Sequence, residues 1–289
     1  MTERQRPNFR SRLARKELLV APGVFDGISA RIADQMGFEA LYMTGYGAVA
    51  SHLGLPDAGI ASYTDMVGRV KVLTDTAETP LMADGDTGYG GLLNVQYTVR
   101  GYEAAGAVAI QIEDQEFPKK CGHMLGRRVV PIEDMVDKIK VAVASRDSAD
   151  FLIIARTDAR TTLGLDEALR RADAYAKAGA DILFVESPES LEEMRTIGRS
   201  FDRPLMANMV EGGRTPLADR KTLEEVGYSI AIFPGLGFLA AGAAMHKVYS
   251  YLKEHGSSVG GDTPLYKFAE FSDLMGFREV TEFDETYRR

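Results

Sequence analysis

The stretch AGAVAIQIED (105–114) decides the fold. Gly106 fits the left-handed position just past a helix end, so it closes one element and opens the next. The run that follows is nearly continuous in apolar residues and stops at Glu113-Asp114. Such a run suits a parallel strand covered on both faces. The same pattern recurs as MGFEALYMTG (36–45), AGADILFVES (178–187) and VGYSIAIFPG (226–235), with Gly37, Gly179 and Gly227 in the equivalent place. Four further runs, LLVAPGV (18–24), PLMADGD (80–86), FLIIARTD (151–158) and PLMANMV (204–210), complete a set of eight.

Helical periods fill the intervals. Ile132, Met135, Val136, Ile139 and Val143 share one helix face after Pro131, and Leu165, Leu169, Ala172 and Ala176 share another before Gly179. Eight strands alternating with helices indicate an α/β chain folded as a (β/α)8 TIM barrel. A doubly wound open sheet is the alternative, but no G-x-G-x-x-G follows the first strand.

At 289 residues and 45% hydrophobic content, the chain reads as one barrel domain over 1–289. Beyond the eighth strand, Met245, Val248, Tyr249 and Leu252 mark the last barrel helix. Residues 256–289 extend the domain: Gly256 to Gly261 reads as a flexible joint, and Leu265, Phe268, Phe271 and Met275 predict one more helix. That helix either covers a neighbouring subunit or folds back on its own barrel.

A net charge of −8 argues against nucleic acid or an anionic membrane as partner. One cysteine excludes an internal disulfide, and MTERQRPNFRSR lacks the apolar core of a signal peptide. With no apolar run near the ~20 residues that span a bilayer, the expectation is a soluble, cytoplasmic protein.

In this architecture the site lies at the carboxyl ends of the strands. Those ends carry Tyr42, Thr44 and Gly45; Asp84 and Asp86; Glu113 and Asp114; Arg156 and Asp158; Glu186; and Asn208 with Glu211. So many carboxylates at one mouth repel each other unless a cation sits among them. Oxygen donors without a His or Cys cluster imply a hard ion, Mg2+ with Mn2+ as substitute. Asp57, in LGLPDAG, joins through water or is a turn aspartate. Arg156 is either a structural ion-pair partner of Asp158 or Glu186, or a fork for a substrate carboxylate. Glu211-Gly212-Gly213 offers a backbone cradle for phosphate that no lysine supports.

The segment Lys119-Lys120-Cys121-Gly122-His123 holds the chain's single cysteine. Two ammonium groups and an imidazole beside a thiol set its protonation, which makes Cys121 an acid or nucleophile rather than a small core residue.

Together these residues resemble the isocitrate lyase and phosphoenolpyruvate mutase superfamily from about residue 10 to the end. The matching motifs are TGYGAVASHLGLPDAG (44–59), ADGDTGYG (83–90), QIEDQEFPKKCGH (111–123), ARTDA (155–159), the FVES glutamate Glu186 and ANMVEGGRTP (207–216). The resemblance implies a metal site in which Asp84 contacts Mg2+ while Asp57, Asp86 and Glu113 hold it largely through water. It implies that Thr44, Gly45 and Tyr46 bind an α-keto-acid carboxylate and that Arg156 assists at the oxyanion. Cys121 is then the general acid on a mobile loop, supported by Lys119, Gly122 and His123. Glu186 and Asn208 complete the site, and Tyr42 is a candidate base for the substrate hydroxyl.

A neutral thiol is needed, whereas Lys119, Lys120 and His123 favour thiolate; Glu113 can compensate. The implied partners are a small di- or tricarboxylate and three further copies, in a homotetramer built from helix-swapped dimers. Within the superfamily, Cys-Gly-His points to the 2,3-dimethylmalate and methylisocitrate lyases. Carboxyphosphonoenolpyruvate phosphonomutase shares that loop and is one alternative. Oxaloacetate hydrolase is another, against which Pro234 argues. Tyr46 and the scarcity of basic residues after the eighth strand favour a 2-alkylmalate. A keto-acid binding protein without turnover is a third possibility.

Overall fold

A computed structural model of the chain describes residues 8–15, 17–122 and 124–288. The eight anticipated runs are the eight strands: β1 (Leu19–Val24), β2 (Leu41–Met43), β3 (Leu81–Asp84), β4 (Ala109–Glu113), β5 (Leu152–Thr157), β6 (Ile182–Val185), β7 (Met206–Asn208) and β8 (Ile230–Phe233). Every paired neighbour is parallel, in the order β6-β5-β4-β3-β2-β1-β8-β7. A single bridge, Leu183 with Leu205, joins β6 to the start of β7 and closes the barrel. Gly37, Gly106, Gly179 and Gly227 all have positive φ, between 76° and 109°, as the pattern required.

The two-residue period of each strand sorts side chains into two layers. Leu152 and Ile154 join the interior cluster with Met82, Ala109, Ile182 and Ile230. Ile153, Ala155, Ile110 and Ile112 pack outward against the helices. Burying one such Ile or Leu contributes about 1.5–3 kcal/mol. The helices meet this layer with the faces their periods predicted; Ile132–Ser145, for example, buries Met135, Ile139 and Ala142.

The amino end of the barrel is plugged by the short helix Phe9–Leu13, whose Phe9 enters the interior cluster. Arg10 pairs with Asp181 at 2.8 Å and Arg12 with Glu39 at 2.5 Å, fixing the plug to the rim. The opposite mouth stays polar, because the parity that places Leu152 and Ile154 inside also turns Arg156 inward.

The last barrel helix, Leu236–His255, buries none of its residues. Beside it and the helix Gly27–Gln35 runs an apolar groove of about 550 Å³ lined by Pro22, Phe25, Ile28, Ile32 and Met245. The C-terminal extension corrects the sequence reading: two helices follow, Phe268–Leu274 and Phe277–Tyr287, rather than one. They are separated by Gly276 at φ 94°, a left-handed residue that ends the first.

Candidate active site

At the carboxyl mouth a cavity of about 70 Å³ is lined by Tyr42, Thr44, Gly45, Tyr46, Asp57, Asp84, Cys121, Gly122, Arg156, Glu186 and Asn208, with an apolar wall of Phe184, Val210, Ile232, Pro234 and Phe238. Eleven candidates from six separate sequence motifs thus share one wall. Asp86, Glu113 and Lys119 reach the cavity through neighbours, Lys119 through Asp57 at 2.5 Å and Glu113 through Arg156 at 3.3 Å. His123 lies outside the described residues.

Two corrections follow from strand parity. Asp114, one residue past Glu113, faces the helices. It accepts hydrogen bonds from Thr157, Tyr175 and Arg171 and is a structural hub, not part of the mouth. Glu211 is exposed and absent from the cavity wall, so the phosphate-cradle reading is not supported.

Asp84 is oriented on both sides. Its Oδ1 accepts from the Asp86 amide at 3.0 Å and from Gln111 Nε2 at 3.2 Å. Its Oδ2 lies against Gly45, where an added Cβ would stand only 2.5 Å away. Glycine at 45 therefore lets this carboxylate meet the amino end of the helix Gly45–Leu53, which Thr44 caps. Gln111 was not anticipated; its place two residues before Glu113 on an inward-facing period was the available signal. Tyr42 donates to Gln111 Oε1 at 2.8 Å. Burial, then the Asp84 charge, raises its phenol well above the ordinary tyrosine range. Tyr42 thus stands as a hydrogen-bond donor to Gln111, and this arrangement offers no support for its reading as the hydroxyl-deprotonating base.

The acidic side carries more negative charge than its cations offset. Burial raises Asp84, Asp86 and Glu113 above ordinary carboxylates, Asp86 to about 6, although Lys119 and Arg156 draw them back. Glu113 Oε1 is buried without a hydrogen-bond partner. Both facts fit a divalent cation near Asp84. Among the described residues no three such groups converge at direct-ligand spacing. The donor set thus suits an ion held by one carboxylate directly and by the rest through water.

Arg156 takes the structural role the sequence offered, with its fork on Asp158, and still lines the cavity. Its Nε and Nη2 donate to Asp158 at 3.0 and 2.9 Å, while Nη1 lies 3.3 Å from Glu113 and Nη2 3.4 Å from Glu186. Burial opposes its charge, but Asp158, Glu113 and Glu186 together raise its pKa well above the usual arginine value. It stands charged on the cavity wall. Glu186 is held by Asn208 Nδ2 at 2.9 Å and by the Ser187 amide at 2.7 Å. Ser187 has φ 60°, one of three non-glycine residues in the left-handed region among the described residues; the others, Asp86 and Tyr89, follow β3. All three flank the mouth, where strain is retained for positioning.

Residues 115–129 form a flap whose base is closed by the antiparallel bridge Gln115–Val129. The flap is shut. Lys119 is buried between Asp57 and Asp86, at 2.5 Å from each. Ser187 Oγ donates to the Gly122 carbonyl at 3.0 Å, and a Cβ at Gly122 would meet Arg156 Nη2 at 2.2 Å. Cys121, half-buried, lines the cavity. Lys119 is engaged by two carboxylates, and the exposed Lys120 points its Nζ to the Gly126 carbonyl.

Known proteins of this shape agree with that geometry. A sequence profile of the phosphoenolpyruvate phosphomutase family matches residues 9–253. The chain is 49% identical to a 2,3-dimethylmalate lyase of Eubacterium barkeri over 279 residues, covering 96% of each chain. It is 42% identical to a 2-methylisocitrate lyase of Aeropyrum pernix, covering 99% of this chain and 92% of that one. A crystal structure of 2,3-dimethylmalate lyase, a PEP mutase/isocitrate lyase superfamily member, superposes with a TM-score of 0.91 at 37% identity, over 97% of this chain and 94% of that one. Likeness this close over nearly the whole length leaves one placement: the chain belongs to the phosphoenolpyruvate phosphomutase family, within the PEP mutase/isocitrate lyase superfamily.

Proposed function

We propose that this protein is a Mg2+-dependent carbon–carbon lyase that splits a 2-alkylmalate, of the 2,3-dimethylmalate type, into pyruvate or a related keto acid and a carboxylic acid. One observation carries the reading: Cys121 and Gly122 close over the same cavity that presents Asp84 and Arg156. A proton donor thus faces an anion-stabilising pair across one cavity. The relatives named above are lyases on substituted malates and isocitrates.

Mg2+, or Mn2+ in its place, would be held by Asp84 with Asp57, Asp86 and Glu113, and supplies positive charge to the oxygens of the keto acid. The chain's own residues do the rest. The amino end of the helix Gly45–Leu53, with Thr44, Gly45 and Tyr46, presents backbone N–H groups to the substrate carboxylate. Arg156 offers its charge to the oxygen that becomes the new carbonyl. The hydroxyl proton passes to Glu186, the carboxylate on the cavity wall beside Arg156. The O–H electron pair becomes the new carbonyl as the C2–C3 bond breaks, and that bond's pair stays on the departing fragment as an enediolate. Cys121 donates a proton to that carbon, and the closed flap keeps water from doing so. Asn208 and Ser187 hold Glu186 beside Arg156.

The substituent side is apolar. Phe184, Val210, Ile232, Pro234 and Phe238 face it, and among the described residues lining the cavity Arg156 is the only cation. Tyr46 and Phe238 pack with ring centroids 5.2 Å apart. Such a wall suits alkyl groups better than the third carboxylate of methylisocitrate or the phosphonate dianion of a phosphonomutase product. Keto-acid release from a panel of alkylmalates, methylisocitrate and oxaloacetate, with and without EDTA, tests the assignment. Turnover of 2,3-dimethylmalate that stops in EDTA supports it. A phosphonate signal in phosphorus NMR with carboxyphosphonoenolpyruvate, and no keto acid from the malates, overturns it.

Assembly and location follow the same reading. The unburied helix Leu236–His255 and the apolar groove beside it suit exchange of that helix between subunits, in a homotetramer of swapped dimers. Among the described residues no helix is long and apolar enough to cross a membrane, and a cytoplasmic enzyme is expected.

A further inference from the structure

Among its described residues the flap carries two buried cations, Lys119, which pairs with Asp57 and Asp86 at the proposed metal site, and a second that the site does not use. The other is Arg127, at the point where the flap returns to the barrel just after Gly126 at φ 74°. Its side chain and that of Asp158 are both fully buried. Arg127 Nη1 donates to Asp158 Oδ1 and Nη2 to Thr161 Oγ1. Asp158 in turn receives the fork of Arg156 at 3.0 and 2.9 Å, and its amide donates to Asp114 at 2.9 Å. One carboxylate is therefore shared between a guanidinium on the flap and a guanidinium on the cavity wall.

We propose that Arg127 is a positioning residue that couples closure of the flap to the alignment of Arg156, acting through Asp158. The physical reason is geometric and electrostatic at once. Asp158 carries one charge and faces two cations, so its orientation is fixed by both. Without Arg127 the carboxylate, which takes the Arg156 fork with both oxygens, loses its second anchor, and the guanidinium edge facing Glu113, Glu186 and Gly122 shifts with it. The same loss unfastens the flap beside Cys121. An unpaired partner in a buried network is costly, which favours rearrangement over a vacant site. Arginine is required here because its planar fork bonds Asp158 and Thr161 together; a lysine supplies charge to one of them.

The proposal rests on the reading of 115–129 as the acid-bearing flap, and the test separates the two. Cys121 is the only cysteine in the chain, so its alkylation by iodoacetamide reports flap opening without any substrate. In Arg127→Met the alkylation rate at fixed pH should rise about tenfold, within the usual range of coupling between linked sites. Turnover of 2,3-dimethylmalate should fall on the order of a hundredfold in kcat, with KM changed far less, because the defect is in alignment. Arg127→Lys should restore part of both. Thr161→Val, which removes one partner and leaves the charges, should move each readout about threefold and serves if Arg127→Met does not fold. Wild-type alkylation rates and kcat in a folded Arg127→Met, or in Thr161→Val, overturn the proposal. If the wild type turns over no malate at all, the lyase reading fails while the alkylation comparison still decides the role of Arg127.

Discussion

Cys121 and Asp86 show how single side chains are set by what surrounds them. Cys121, half-buried on the cavity wall, is the proposed general acid, and Lys119 two residues before it is engaged by Asp57 and Asp86. Cys121→Ser should lose about a hundredfold or more in kcat, the usual share of a general acid, while pyruvate with Mg2+ still binds by calorimetry. Full turnover in that variant removes the acid role. Asp86 makes a prediction about pH. Burial, with Asp84 and Asp57 adding to it and Lys119 opposing, raises its carboxyl to about 6, so the folded chain binds that proton more tightly than the unfolded chain, whose carboxyl titrates near 4. A group raised in the fold adds stability as it takes up its proton. In EDTA, the urea midpoint should therefore increase as pH falls from about 6 toward 4, against the general trend of acid denaturation. Mg2+ should reverse that slope, since the cation binds the ionised form. A midpoint in EDTA that falls steadily over the same window counts against a strained carboxylate here.

At the scale of elements, the strands were legible because burial on both faces leaves an unbroken apolar run, and each glycine before it marks a helix end. What the runs could not reveal is which of two adjacent polar residues at a strand's end faces the mouth. Glu113 and Asp114 look alike in sequence, and only the parity carried from Ala109 and Gln111 sends one to the cavity and the other to Tyr175 and Arg171. The Tyr42 hydrogen bond to Gln111 was hidden for a related reason: the pairing depends on which residues of neighbouring strands face inward. Arg127 and Ser187 escaped notice because their partners come from distant loops. The flap itself yields a sharp test. A Cβ on residue 122 would meet Arg156 Nη2 at 2.2 Å and Glu186 Oε2 at 2.9 Å. Gly122→Ala should thus leave thermal stability nearly unchanged, because the flap can lift, yet lower kcat on the order of tenfold to a hundredfold. Unaltered kcat would show that the closed flap is not the reactive arrangement.

Across the whole molecule, the barrel is held by seven parallel pairings and one lone bridge between Leu183 and Leu205. That seam has the fewest ladder hydrogen bonds, and backbone amides of β7 should exchange faster than those of β4 and β5 in native-state hydrogen exchange. Equal protection around the ring would contradict it. The projecting helix Leu236–His255 has a different bearing on the enzyme. Phe238, two residues into that helix, belongs to the cavity wall, and no residue of the helix is fully buried against its own barrel. In the proposed tetramer the apolar wall is therefore hinged to a beam whose far end rests on a companion chain. Dilution that strips such a companion away should then blur the choice among malates before it unfolds anything, and selectivity that survives dilution to the monomer would count against the swapped assembly.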